Sequence, residues 1–194
     1  MGNRRGPIVG RHGERNGCSQ HVTYGRMKNA LALESKIEST PELDRISLIG
    51  SLSDNVLVGL ENLLKLSAKE CVMNLAEISH CNSLGIRSWV NFLRVFTKDR
   101  KVSFEEVSPE LTRQLTSVTG ILDPGKIISF ILEFECVNCD HVQTITVETT
   151  NPLDIAFQSP HASLCTQCGG NVELDDDDAD ILNVLSTKGL FKAS

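Results

Sequence analysis

Two closely spaced pairs of cysteines constrain the fold of this chain more than any other feature of its sequence. Cys136 and Cys139 form one CxxC pair, Cys165 and Cys168 form the other, and 25 residues separate the two pairs. Each CxxC turn directs two thiolates toward one point, so two such turns complete a tetrahedral site of the kind that holds structural Zn2+. The spacing therefore predicts a closed zinc site made by these four cysteines, with no open position for metal catalysis.

The residues around both pairs predict short strands. Apolar and polar residues alternate over residues 129–135, immediately before the first pair, as in a half-buried strand. Residues 142–147 predict a returning strand, and residues 172–174 predict a third strand after Gly169 and Gly170, which permit a tight turn. Strands flanking two CxxC turns are typical of a zinc ribbon. The apolar positions of the first strand are Phe130, Leu132 and Phe134.

Two other polar features of this region have simpler interpretations than metal binding. Asp140 and His141 stand in the first turn where glycine is usual. We interpret His141 as a polar hairpin residue, because four thiolates already close the zinc shell. The aspartates at 175–178 lack the spacing of a calcium loop and precede apolar residues at helical spacing, so they predict the acidic first turn of a C-terminal helix. A cluster that has lost its metal and a redox pair remain alternatives for the cysteines.

The net charge of −6 is distributed unevenly. Residues 1–40 carry seven Lys and Arg against three Asp and Glu (+4), and residues 41–130 carry ten against eleven (−1). Residues 131–194, which hold the CxxC pairs, carry two against eleven (−9). Nucleic-acid-binding modules attract phosphates with clustered Lys and Arg. The charge distribution therefore argues against nucleic acid as the partner of the cysteine-rich region.

Neither a membrane span nor a secretion signal is predicted. The longest apolar stretch, residues 126–134, is interrupted by Ser129 and falls far short of the ~18 residues that a membrane-spanning helix needs. The basic N-terminus is not followed by the apolar core of a signal peptide. We expect a cytoplasmic protein with no membrane association, whose cysteines are thiols or metal ligands rather than disulfides. Three cysteines stand alone in the sequence: Cys18, Cys71 and Cys81.

The chain divides into three predicted parts. Residues 1–29 are rich in Gly, Arg, Asn and His and lack hydrophobic periodicity, which predicts a disordered basic tail. Residues 30–125 alternate strand and helix signals, and residues 126–194 form the zinc-ribbon-like part with its C-terminal helix, joined through a turn at 123–125. The fold class is therefore α/β, a mixed sheet with helices packed on it plus a small β-hairpin zinc domain. The predicted elements of the middle part are a hairpin (31–52), a helix (to about 68), a strand (70–76), a helix (83–98), a strand (101–107) and a helix from 108.

The helix predicted at 83–98 has an unusually wide apolar surface. Arg87, Asn91, Arg94 and Lys98 follow one another at intervals of four, three and four residues, so they share one face. Large aromatic residues widen the opposite, apolar face. Such residues at helical spacing usually belong to the core. The alternative is that they form a surface that binds a partner. These aromatic residues are Trp89, Phe92 and Phe96.

Three short motifs stand at the ends of predicted strands and helices in the α/β region. They are Gly50-Ser51-Leu52 after the second strand, Asn82-Ser83-Leu84-Gly85 at the start of the second helix, and Ser108-Pro109 with Thr119-Gly120-Ile121 around the third. With these motifs, residues 30–125 resemble a STAS domain, the module of anti-sigma-factor antagonists and of sulphate transporter tails. Asn82 replaces the Asp of the family's Asp-Ser-Ser-Gly, and Leu84 replaces its second Ser. Ser83 matches the serine that receives phosphate in the antagonists.

This resemblance implies a non-enzymatic bacterial regulatory protein. It would act in signalling by partner switching, binding an anti-sigma factor or a related kinase. Ser83, Asn82, Gly85 and Arg87 would form the phosphorylation or partner-binding site. Motifs of common enzymes, such as a phosphate-binding glycine loop, GxSxG or HExxH, do not occur in the sequence.

Two other functions remain open at this point. The first is a transcription-associated or nucleic-acid-binding zinc-ribbon protein, with the STAS-like part as an assembly domain. The second is a scaffold whose STAS-like domain self-associates into a homo-oligomer, which would use the same surfaces as a signalling protein.

Overall fold

A five-stranded mixed sheet forms the larger part of the fold. The computed structural model describes residues 32–54, 56–118, 120–123, 125–149 and 164–174. The sheet has the order β1-β2-β3-β4-β5, with β1 antiparallel to β2 and all other pairs parallel. The strands are β1 (Glu34–Ser39), β2 (Leu43–Leu52), β3 (Glu70–Cys81), β4 (Lys101–Glu105) and β5 (Lys126–Ile127).

The predicted N-terminal hairpin is confirmed. Strands β1 and β2 pair with Ile37 opposite Ile46, and the turn between them is closed by a hydrogen bond from the Thr40 N–H to the Leu43 carbonyl, at 2.9 Å. Strand β3 is longer than predicted and continues to Cys81 instead of ending at residue 76. It is the central strand, paired on both sides, so burial rather than local propensity sets its length.

The three predicted helices follow β2, β3 and β4 in the predicted order, but their ends differ, and the third leads into β5, which the sequence did not predict. Helix α1 (Val56–Glu61) passes into a 3-10 turn (Asn62–Lys65) and does not reach residue 68. Helix α2 (Ser83–Phe96) ends two residues before the predicted end. Helix α3 (Pro109–Ser117) begins where predicted, with the Ser108 side chain accepting a hydrogen bond from the Leu111 N–H at 3.3 Å.

The aromatic residues of α2 belong to the core, as the sequence favoured. Trp89 and Phe96 are fully buried, and the Trp89 ring lies 6.4 Å from that of Phe104 on β4. The indole N–H of Trp89 donates to the Ile121 carbonyl at 2.8 Å, so this large side chain has its polar atom satisfied. Helix α2 is thereby fixed between the sheet and the segment that follows α3.

A second, three-stranded antiparallel sheet holds the CxxC turns. Its order is β7-β6-β8, and Phe130, Leu132 and Phe134 lie on its buried face, as the alternation predicted. Its strands are β6 (Ser129–Cys136), β7 (Val142–Glu148) and β8 (Val172–Leu174). The predicted basic tail (1–29) and the predicted C-terminal helix lie outside the described residues.

The two sheets share one hydrophobic core. Phe130 and its neighbours on β6 belong to the same buried cluster as Trp89. Val107 forms a parallel bridge with Phe130, and the Ser129 hydroxyl accepts a hydrogen bond from the Glu106 N–H at 2.9 Å. Strand β5, immediately after the predicted linker at 123–125, pairs with β4 in the larger sheet. The cysteine turns are therefore attached to the α/β part by a packed, hydrogen-bonded joint.

Candidate metal centre and helix-start site

The four cysteines of the two CxxC pairs converge on one point. The Sγ atoms of Cys136 and Cys168 are 3.5 Å apart, those of Cys139 and Cys165 are 3.6 Å apart, and all four lie within 4.8 Å of one another. All four are free thiols. The convergence predicted from their spacing is confirmed, and the cluster could hold one metal ion.

The first cysteine turn follows directly from the end of β6. The Asp140 N–H donates to the Cys136 carbonyl at 3.0 Å, and the Cys136 N–H donates to the His141 carbonyl at 3.0 Å. The Asn138 N–H points at the Cys136 sulfur, 3.5 Å away. Backbone amides that point at a sulfur stabilise its thiolate form, which is the form that binds metal.

The second turn repeats this pattern before β8. The Gly169 N–H donates to the Cys165 carbonyl at 2.8 Å, and the Cys165 N–H donates to the Gly170 carbonyl at 2.8 Å. The N–H groups of Gln167 and Gly170 point at the sulfurs of Cys165 and Cys168, each at 3.4 Å. The two turns thus present their sulfurs in the same way, from opposite sides of the cluster.

The residue after each second cysteine adopts left-handed backbone geometry. Gly169 has φ 73°, as its glycine predicted, and Asp140 has φ 54° at the matching position. The cost of this conformation is lower for Asp than for most other residues, because its short polar side chain tolerates the left-handed region. This explains why the first turn forms without the usual glycine.

Side chains outside the cluster connect its two halves. The Gln143 side chain on β7 accepts a hydrogen bond from the Thr166 N–H at 3.0 Å and donates to the Leu164 carbonyl at 3.4 Å. The His141 ring nitrogen lies 3.3 Å from the Thr166 hydroxyl, so His141 is a polar contact between the turns. In the described part of the chain, the potential ligand group contains only the four cysteines. The sequence alone did not reveal the role of Gln143.

The four sulfurs cannot all carry a negative charge unless a cation compensates them. Burial opposes ionisation of Cys165, but backbone N–H groups in its own turn and the thiol of Cys139 lower the pKa of Cys165 to about 6. The His141 N–H favours the Cys139 thiolate, yet hydrogen bonds with the other thiols and burial outweigh it and raise the pKa of Cys139 to about 12. A metal ion at the centre would supply the positive charge needed to stabilise four thiolates together.

The start of α2 brings together the residues of the second predicted site. Asn82 is the N-cap: its side-chain oxygen accepts a hydrogen bond from the Gly85 N–H at 2.8 Å. Ser83 and Arg87 are both exposed, one turn apart on the helix. The Asn82 amide also donates to the Asp54 carboxylate at 2.9 Å. This contact between the β2–α1 connection and α2 joins residues 28 positions apart, and no local pattern predicted it.

Gly85 has a steric role at this helix start. A Cβ atom there would lie 2.0 Å from the Leu52 carbonyl oxygen and 2.4 Å from the Ser53 nitrogen. The Asn82 N–H donates to the same Leu52 carbonyl at 3.0 Å, so the end of β2 and the start of α2 are in direct backbone contact. Glycine is therefore required at residue 85 for α2 to approach the sheet this closely.

The single cysteines Cys71 and Cys81 are buried, and their thiols ionise less readily than an ordinary thiol. Burial, reinforced by nearby Asp44, raises the pKa of Cys71 to about 12, and burial with nearby Glu110 raises the pKa of Cys81 to about 12. Cys18 lies outside the described residues. Both described thiols are core residues rather than nucleophiles.

We expect Cys71 and Cys81 to resist alkylation in the folded protein. At pH 8 their thiolate fraction is lower by about a thousandfold than that of a thiol with pKa 9. Iodoacetamide labelling at pH 8, read by peptide mass spectrometry, should modify Cys18 in minutes and leave these two unmodified until denaturant is added. Labelling of all three at equal rates would contradict the burial described above.

Neither a comparison with protein-family models nor a search of curated proteins finds a match to this chain. Within the described residues, each helix is too short or too polar to cross a membrane. The functional assignment therefore depends on the geometry of the cysteine cluster and of the start of α2.

Proposed function

We propose that the chain is a non-enzymatic, STAS-like regulatory module that binds a protein partner and is stabilised by a structural Zn2+ ion. The partner surface would be centred on the start of α2. The single observation that carries this proposal is the exposed Ser83, which is held at the first position of α2 by the Asn82 cap. The resemblance to anti-sigma-factor antagonists makes an anti-sigma factor or a related kinase the expected partner.

The surroundings of Ser83 suit contact with another protein. Leu84, the next residue, is 56% exposed. Exposed apolar side chains beside polar groups are common where a partner binds. Arg87, one turn further along α2, supplies a positive charge at the edge of the same surface.

Negative charge added at Ser83 would change this surface without unfolding it. The N-terminus of a helix stabilises a phosphate through free N–H groups and the macrodipole, and Arg87 is within reach of such a group. The Asp54 carboxylate already lies against Asn82, so added charge would also raise the local negative potential. Phosphorylation at Ser83 would therefore act by repelling an acidic or apolar partner surface.

Zinc is the metal that best suits the cysteine cluster. Zn–S bonds of ~2.3 Å in a tetrahedron place sulfurs about 3.8 Å apart, close to the 3.5 and 3.6 Å found across the two turns. Four thiolates leave no position for water or substrate, which supports a structural role rather than a catalytic one. Since β6 is already joined to the α/β part by packing and hydrogen bonds, the ion would hold the two CxxC turns together.

The alternative of a nucleic-acid-binding ribbon has less support. The second sheet and its turns, residues 128–149 and 164–174, contain neither Lys nor Arg, but do contain Glu133, Glu135, Asp140, Glu148 and Glu173; Lys126 precedes them in β5 of the larger sheet. Such a surface repels phosphate groups, so it offers none of the counterion release that drives binding to nucleic acid.

Ser83→Asp is expected to weaken partner binding by at least about tenfold, or about 1.4 kcal/mol. The reason is that it adds a carboxylate at the exposed centre of the proposed surface, while Ser83→Ala removes only a hydroxyl. Proteins retained from the native cell by wild type, Ser83→Ala and Ser83→Asp would be compared by quantitative mass spectrometry. The retained partner would then be titrated against each variant by calorimetry.

Ser67→Asp is the matched control, since it places the same charge on an exposed serine in the connection between the 3-10 turn and β3. Circular dichroism of each variant checks the fold. Equal affinity of all variants for the partner would overturn the proposal that the start of α2 is the binding surface.

A further inference from the structure

A groove of about 410 Å3 runs between α2 and α3. Its floor is apolar, formed by Ile86 and Val90 of α2 and by Val118 at the end of α3. Arg87 and Arg94, two turns apart on α2, also line it. The groove therefore combines an apolar floor with two positive charges along one side, which suits an occupant that is both acidic and apolar.

The two arginines of the groove have no carboxylate partner within the described residues. Ion pairs there involve three other basic residues: Arg45, Lys101 and Arg113. Arg87 and Arg94 are both exposed, so their charges are available to a segment that enters the groove.

The chain leaves the second sheet beside the groove. Strand β7 covers one edge of β6 along its whole length, so Val107, which bridges to Phe130, must lie on the other edge, together with β8. Strand β8 runs antiparallel to β6 and ends with Leu174 opposite Phe134. The chain at 174 is therefore directed along this edge toward Val107 and the start of α3.

Helix α3 lies between the end of β8 and the groove. Arg113 of α3 contacts Glu133 on β6, one residue from the end of β8, whereas the next residue of α3, Gln114, lines the groove. A helix is about 10 Å across, a distance that three or four extended residues span at ~3.3 Å each. A segment beginning at residue 175 thus reaches the groove within about four residues.

The sequence after residue 174 has the composition that the groove requires. Asp175, Asp176, Asp177, Asp178 and Asp180 come first, and four apolar residues follow within five positions. These apolar residues are Ile181, Leu182, Val184 and Leu185.

We propose that the groove between α2 and α3 is the docking site of the chain's own C-terminal segment, residues 175–194. The aspartates neutralise Arg87 and Arg94, and the apolar residues at 181–185 cover the floor. Because the segment is tethered close by, its effective concentration at the groove is in the millimolar range, enough for weak contacts to hold it. Ser83 also lines the groove, so the docked segment would compete with the partner; this consequence alone rests on the proposed function.

Limited proteolysis of the full chain tests the docking directly. Chymotrypsin cleaves after Leu182 and Leu185, and its access requires the segment to leave the groove. We expect Arg87→Glu/Arg94→Glu to raise the cleavage rate about fivefold, as the loss of two exposed ion pairs predicts. Raising NaCl from about 0.05 to 0.5 M should also accelerate cleavage of the wild type, because salt screens exposed charges. Intact-mass spectrometry gives the rates.

Two further variants make the result specific. Lys36→Glu/Lys69→Glu changes the net charge equally at exposed sites away from the groove and should leave the rate unchanged. Asp178→Lys/Asp180→Lys, at the aspartates that arrive at the groove, should raise cleavage by itself and restore protection when combined with Arg87→Glu/Arg94→Glu. Since these aspartates follow the last described strand, this variant tests the proposal even if the arginine variant folds poorly.

The proposal is overturned if cleavage of the C-terminal segment is equally fast in the wild type and in the aspartate variant and does not respond to salt. The assay contains no partner protein. A negative result in the Ser83 titration therefore leaves the docking intact, and a negative proteolysis result leaves the partner surface intact.

Discussion

Cys165→Ser is expected to release the metal ion and to unfold the two CxxC turns together with β8, while β6 and the α/β part with which it shares a core keep their structure. A closed four-thiolate site contributes ~10–16 kcal/mol of apparent binding free energy. Within the described residues β8 is three residues long and pairs with β6 alone, and β8 and the CxxC turns bury too little apolar surface to replace that contribution. We therefore expect the CxxC turns and β8 to depend on the metal for their structure, whereas Phe130, Leu132 and Phe134 of β6 stay in the shared core.

Elemental analysis of the wild type should find about one zinc ion per chain, and the variant should contain almost none. Limited proteolysis should then cut the variant within residues 137–174, while the fluorescence of buried Trp89 stays close to that of the wild type. Cys18→Ser, which removes a cysteine outside the cluster, is the matched control. Wild-type protein that is free of metal yet equally resistant to protease would contradict this prediction.

Gly85→Ala is expected to lower the melting temperature by about 4–8 °C, the equivalent of roughly 2 kcal/mol in a chain of this size. Alanine in a helix is favoured over glycine by ~1 kcal/mol, so propensity alone predicts stabilisation. The added Cβ would lie 2.0 Å from the Leu52 carbonyl oxygen, and relieving the overlap requires the backbone of α2 or β2 to move by about 1 Å or more. This movement breaks the hydrogen bond from the Asn82 N–H to Leu52, so the steric cost exceeds the gain.

Gly120→Ala is the control that separates the steric overlap at residue 85 from the cost of a strained backbone. Gly120 has φ 87°, and the nearest atom to an added Cβ is a Val90 methyl group at 3.9 Å, so alanine there is strained but not crowded. Its cost should be about 1 kcal/mol. Thermal melts followed by circular dichroism compare both variants with the wild type. A Gly85→Ala protein at least as stable as the wild type would show that α2 does not approach β2 as described.

The residues of the candidate metal centre were predictable because their signal is local. A CxxC turn sets the direction of two sulfurs within four residues, and the alternation before Cys136 determines which face of β6 is buried. The left-handed geometry of Asp140 had no clear sequence signal, since Asp is common in ordinary turns as well. The hydrogen bonds of Gln143 to Leu164 and Thr166 form only when the fold brings β7 next to these residues, which lie more than 20 positions away in sequence.

The order of helices and strands was also predictable, because hydrophobic periodicity differs between helix and strand. The residues at which the helices and strands end were not predictable. Helix α1 gives way to a 3-10 turn at Asn62, and β3 extends to Cys81, since tertiary packing rather than local propensity decides where each element ends. The pairing of the two-residue strand β5 with β4 likewise depends on a neighbouring strand already being in place.

The sequence by itself determined the four cysteines that could hold a metal ion, the class of fold and the identity of the serine at the start of α2. Only the tertiary structure decided which of these features lie together. The contact of Asp54 with Asn82, the approach of Gly85 to Leu52 and the groove between α2 and α3 all join separate elements. The physical reason is that periodicity and turn chemistry act over a few residues, whereas the parallel register of β2, β3 and β4 sets how distant helices meet.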